Sequence, residues 1–207
     1  MLTSDHVVEQ RINARNEPCE EFFERESLPL ARACREMAAR FSRGGRLLAF
    51  GNGPYATDAM HVSVEFIHPV IVGKRALPAL DVSLAPEAWI ETICGAHDMV
   101  AAFGPPEGEK SAPEVLRSAK SRGAMTIALP GTDADYAVVP ASDDAHVHQE
   151  LFELLGHTMY ESVHVFLEHV SALTHGDAAT SFLYPFLAPQ TGAADAVVED
   201  VAASIRA

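Results

Sequence analysis

Residues 46–67 read RLLAFGNGPYATDAMHVSVEFI, and this stretch decides the fold. Leu47-Leu48-Ala49-Phe50 is a short apolar run without alternation, the pattern of a strand buried on both faces. Gly51-Asn52-Gly53-Pro54 turns the chain, and from about Ala56 to Ile67 the apolar residues recur at helical spacing. A doubly buried strand that feeds straight into a helix is the opening of a βαβ unit.

The alternation continues downstream. Residues 79–82 form a short strand, 86–94 a helix, 98–104 a strand and 112–122 a helix. Residues 124–129 and 136–139 are two further strands, and a long helix runs from about His148 to Ser171. Apolar strands separated by helices predict an α/β fold, a parallel sheet covered by helices on both faces. Upstream, residues 1–44 carry helical patterning broken by Pro18 and Pro29, which predicts two helices or one broken helix ending at Gly44-Gly45. The expected organisation is therefore a helical segment over 1–44, a core over 45–171 and a C-terminal extension over 172–207. The extension holds an aromatic patch at Ser181–Leu187 and an amphipathic helix over 193–206, expected to pack on the domain or on a neighbouring subunit.

Composition sets the outer limits. The 207 residues are 48% apolar and 21% charged, ordinary for a globular chain with a real core. Net charge is −14, which disfavours nucleic acid and anionic membranes as partners. No apolar run reaches the roughly 20 residues that span a bilayer, and the polar N-terminus lacks a signal-peptide pattern. Cys19, Cys34 and Cys94 are widely spaced, so free thiols and a cytoplasmic location are expected.

Two signatures about 90 residues apart carry the candidate chemistry. A helix sets His61 and Glu65 one turn apart on one face, and a second helix sets Gln149, Glu153 and His157 along one side. If the two helices meet, they converge two imidazoles, a carboxylate and an amide oxygen, a set able to hold a divalent metal or move protons at carbon. Glu153 reads as a fifth ligand, an orienting carboxylate or an ordinary helix pair; Asp58 as a helix-capping or a ligand-facing group. His146 and His148, alternate residues if extended, would point the same way. Ser111 and Glu114 have the spacing of a capping box, and Glu107, Glu109 and Lys110 read as exposed charges.

The chain resembles the sugar isomerase (SIS) domain family, most of all its phosphoheptose (sedoheptulose-7-phosphate) isomerases. Phe50-Gly-Asn-Gly53, Asp58-Ala-Met-His61 with Glu65, and Gln149-Glu150 with His157 carry the likeness, which runs from Gly44 to about His169. It implies a three-layer α/β sandwich on a five-stranded parallel, flavodoxin-like sheet, assembled as a homo-oligomer, dimer or tetramer, with active sites at subunit interfaces. It further implies aldose–ketose isomerisation of a sugar or sugar phosphate through an enediol. Glu65 would take the proton at C2 and His157 shuttle the other. His61, Glu65, Gln149 and His157 would hold zinc, with nickel and manganese as alternatives, and Asn52, Gly53, Asp58 and Ser111 would line the substrate site.

Two turns depart from the family pattern. Where the family has Gly-Asn-Gly-Gly-Ser, this chain has Gly51-Asn52-Gly53-Pro54-Tyr55; its second turn reads Phe103-Gly-Pro-Pro-Glu-Gly-Glu-Lys-Ser111 instead of a Ser/Thr/Gly-rich loop. Prolines and glutamates are poor hosts for a phosphate dianion. Either Lys110 and Ser111 grip phosphate differently, or the substrate carries none there. The alternative to an enzyme is a non-catalytic SIS-fold protein that binds a metal or small ligand and acts through its oligomer surface.

Overall fold

The computed structural model describes residues 4–69, 73–175 and 194–207. Its elements are α1 (Ser4–Ser42), β1 (Leu47–Gly51), α2 (Tyr55–Ile67), β2 (Ala79–Asp81), α3 (Pro86–Ile93), β3 (Met99–Phe103), α4 (Ala112–Ser121), β4 (Met125–Leu129), β5 (Tyr136–Ala137), α5 (Ala145–His175) and α6 (Ala194–Arg206). The five strands form one sheet in the order β2-β1-β3-β4-β5, every pairing parallel. This is the flavodoxin-like order, in which the chain switches sides between β1 and β3. The expected α/β class and five-stranded sheet are both present.

The sheet is doubly covered because its strands are apolar on both faces. Every residue of β1, β3 and β4 is buried. On one face Leu47, Ala49, Met99, Ala101 and Ile127 pack with α1, α2 and α5 side chains such as Met37, Phe66 and Leu155. On the other, Leu48, Phe50, Val100 and Ala102 pack with Ile90 of α3 and Val115 and Leu116 of α4. At the amino ends of the strands, Asp98 accepts from the Arg46 amide and guanidinium, both at 2.8 Å, and ties β1 to β3.

The N-terminal region corrects the proline reading. Pro18 and Pro29 lie inside one continuous helix, α1. An interior proline costs about 3 kcal/mol. Burying Phe22, Leu30, Met37 and Phe41 against the core returns roughly 1.5–3 kcal/mol for each side chain, so packing outweighs the two breaks. α6 lies along α1 with Val197, Val198, Val201 and Ala202 buried. The aromatic patch at 181–187 lies outside the described residues. Among the described residues no helix is long and apolar enough to cross a membrane.

Candidate active site

α2 leaves the carboxyl end of β1 and packs against α5. Close approach is possible because position 156 is glycine: a Cβ there would lie 2.8 Å from Val62 Cγ2 of α2. The two helices therefore meet beside His157 and bring the two sequence signatures together. His61, Glu65 and His157 each offer one ligand-capable atom, and these atoms lie within 4.8 Å of one another. The His157 Nδ1–H donates to Glu65 Oε1 at 2.5 Å. The His61 and His157 rings meet edge to face with centroids 5.1 Å apart. The cluster is open on one side: the His61, His157 and Glu65 side chains are 41%, 49% and 16% exposed.

Behind the cluster stands a row of acidic and amide groups. Glu153 Oε2 bonds His61 Nδ1, which leaves Nε2 as the ring atom for other partners. Gln149 Nε2 donates to Asp58 Oδ1 at 2.8 Å, so its amide oxygen is the end that remains. Asp58 is 2% exposed, and its Oδ2 is buried with no hydrogen-bond partner among the described residues. Burial raises the Asp58 carboxyl to about 6; the neighbouring Glu153 adds to the rise, while the Gln149 hydrogen bond and His61 oppose it. Asp58 thus faces the inside of the site and does not cap α2, whose N-terminus carries no side-chain cap.

The histidine pair before Gln149 is not extended. His146 and His148 both lie in α5, so they project in different directions. His148 is fully buried; burial lowers its pKa, against a smaller opposing effect of the Gly104 carbonyl. Its Nε2–H donates to Gly104 O at 3.1 Å, and its Nδ1 accepts from the Ala141 amide at 3.4 Å. This is a structural histidine that fastens the start of α5 to the end of β3.

The remaining candidates lie at the carboxyl ends of β1 and β3, the switch point where open α/β sheets bind ligands. Asn52 and Gly53 form the turn after β1, with Gly53 at φ 57°. Ser111 precedes α4, yet its hydroxyl caps nothing, which overturns the capping-box reading. Its Oγ and its N–H both donate to Glu109 Oε1 at 3.1 Å, and Asn52 Nδ2 donates to the same oxygen at 2.8 Å. Glu109 is therefore not a free surface charge but the half-buried centre of this turn pair. Spacing put Glu153 on the correct helix face; nothing periodic marked Glu109, whose position depends on how two loops meet.

No family model matches the chain. It is 29% identical over 165 residues to a phosphoheptose isomerase of Solidesulfovibrio magneticus, covering 68% of this chain and 80% of that protein. It is 32% identical over 156 residues to the phosphoheptose isomerase of Chlorobaculum tepidum, covering 61% of this chain and 73% of the relative. Among solved structures, the phosphoheptose isomerase of Neisseria gonorrhoeae superimposes with a TM-score of 0.63 at 21% identity, over 78% of this chain and 98% of that one. That of Francisella tularensis gives 0.62 at 17% identity, over 79% and 99%. The structures share the fold, the curated relatives share the sequence, and the chain belongs to the phosphoheptose isomerase family.

Proposed function

We propose that this chain is an aldose–ketose isomerase that acts on a sugar or sugar phosphate through an enediol. The observation that carries the reading is the convergence of His61, Glu65 and His157 on one open side of the α2–α5 contact. Moving a carbonyl one carbon along a sugar needs a base at the intervening C–H, a proton carrier between the two oxygens, and stabilisation of charge on oxygen. Glu65 is the base. It is mostly shielded yet reachable, and the His157 N–H holds its Oε1 in place. His157 exchanges protons with Glu65 and carries one between the substrate oxygens. His61 and Gln149, held from behind by Glu153 and Asp58, steady the reacting oxygens.

The donor set suits a divalent ion, since two imidazoles, a carboxylate and an amide oxygen are borderline ligands of the kind zinc accepts. His61, Glu65, Gln149 and His157 would hold it. When bound, the ion supplies a Lewis acid next to the carbonyl. The name of the relatives, phosphoheptose isomerase, points to a seven-carbon skeleton. Cys19, Cys34 and Cys94 are all free thiols, in keeping with the cytoplasm. Met60, Val64 and Ile67 form an exposed apolar stripe along α2 beside the cluster. A second copy of the chain covers it, closing the site within a homo-oligomer.

Glu65→Gln tests the reading, because the amide keeps the shape and removes the base. Deuterium uptake from heavy water at the carbon beside the sugar carbonyl should fall by about 10²-fold or more, with far-UV circular dichroism unchanged. Exchange at the wild-type rate in that variant would refute the role of Glu65.

A further inference from the structure

We propose that Glu109 is the specificity-determining residue of this site: its carboxylate occupies the anion position between the two switch-point turns, so the substrate ends there in a hydroxyl and not a phosphate. The inference rests on the isomerase reading for its reaction, but its structural basis is separate. A phosphate at such a place is held by uncommitted N–H and O–H donors at helix starts and loops. Here three donors of the two turns already share one internal partner. Asn52 Nδ2, Ser111 N–H and Ser111 Oγ all converge on Glu109 Oε1. The Gly51 N–H donates to Ser83 Oγ at 3.2 Å, and that hydroxyl donates to Asp81 Oδ1 at 2.5 Å.

The backbone tells the same story. At the start of α2, the Tyr55, Ala56 and Thr57 amides bond to the carbonyls of Asn52, Gly53 and Pro54, and Pro54 has no N–H to give. At the start of α4, the Ala112 amide bonds to Glu109 O, the Glu114 and Val115 amides bond to Ser111 O, and position 113 is again proline. Glu109 is seated, not swinging. A Cβ on Gly104 would fall 2.5 Å from the Glu109 backbone nitrogen, so the glycine after β3 lets the chain press this residue against the strand end. A phosphate dianion would displace three hydrogen bonds and lie beside the Glu109 carboxylate. A sugar hydroxyl meets neither obstacle. It can donate to Glu109 Oε2, which none of the three donors uses.

The test has two arms. The first titrates inorganic phosphate into the full chain and its variants, followed by calorimetry. Glu109→Gln keeps the shape, and Glu109→Ser restores a small hydroxyl. Both should bind phosphate at least about tenfold more tightly than wild type, a change of about 1.4 kcal/mol. Equal phosphate binding in all three chains would overturn the assignment and leave Glu109 as a mere loop fastener. The second arm compares deuterium uptake into a seven-carbon ketose and into its terminal phosphate ester. Wild type should show the higher kcat/KM with the free sugar, and Glu109→Ser should shift the ratio towards the ester by about tenfold or more. A wild-type preference for the ester overturns the Glu109 proposal while upholding the isomerase. Exchange into neither sugar refutes the isomerase reading, and the phosphate titration still decides on Glu109.

Discussion

Asp58→Asn should stabilise the protein at neutral pH, and the gain should vanish in mild acid. Asp58 is almost wholly buried, one of its oxygens has no hydrogen-bond partner among the described residues, and Glu153 stands beside it. Its carboxyl is raised from 3.8 to about 6 in the fold. The native state therefore holds the Asp58 proton over a range where the unfolded chain releases it. Stability falls as pH rises through that window, from about 4 to about 6. Two units at 1.36 kcal/mol each give about 3 kcal/mol of destabilisation once Asp58 is ionised. That is a large share of the 5–15 kcal/mol by which domains are usually stable. Asparagine removes the charge and keeps an oxygen for Gln149 Nε2, while its own amide can donate to Glu153. Urea unfolding with chelator present, at pH 7.5 and at pH 4, reads the loss of the Asp58 charge together with its relief of the neighbouring Glu153. The variant should be more stable by about 3 kcal/mol at pH 7.5, with an unchanged denaturant slope, and by under about 1 kcal/mol at pH 4. A variant no more stable than wild type at pH 7.5, or a gap that does not shrink in acid, would refute this account of the site.

Three further outcomes follow from the same geometry. Glu153→Leu unties His61 Nδ1 and should weaken zinc binding about 10–100-fold in a chelator competition, with Glu153→Gln losing less; unchanged affinity would reduce Glu153 to a surface pair. Gly156→Val puts a side chain where a Cβ already lies 2.8 Å from Val62, so it should part α2 from α5, abolish zinc binding and cost about 1–3 kcal/mol of stability. Val64→Glu places a charge in the exposed α2 stripe and should lower the sedimentation coefficient to that of a monomer with the helix content intact; an unchanged coefficient would remove that stripe from the assembly.

The legible parts of this chain are those written in periodicity. The apolar runs at 47–50, 99–103 and 125–129 announce strands covered on both faces, because only such strands dispense with alternation. Spacings of four put His61 with Glu65, and Gln149 with Glu153 and His157, on common helix faces. What spacing cannot tell is which face meets which. That was settled by Gly156, whose missing side chain lets two helices approach closely enough for His61, Glu65 and His157 to converge. The prolines of α1 misled for the opposite reason. Local propensity marks a break, and the apolar face of the helix, buried from Phe22 to Phe41, overrides it. His146 and His148 would share a side if extended, but the helix separates them, and His148 packs against Tyr55 and Phe152 as a structural group.

Glu109 shows why the turns were the hardest part to read. As letters, Glu107 and Glu109 are equivalent: acidic residues two apart in a Pro- and Gly-rich loop. In the fold one is exposed and the other is gripped by donors from two different loops. The difference arises from the close seat on Gly104 and from Asn52, more than fifty residues away, so no local pattern could contain it. The His61–Glu65–His157 cluster and the switch-point turns are thus under separate control. The first sits on two helices whose faces hold its geometry; the second sits on loops, which can exchange an outside anion for an internal carboxylate without disturbing the helices. A family can keep one reaction and change the end group of its substrate by that route, and Glu109 is the residue through which this chain would have done so.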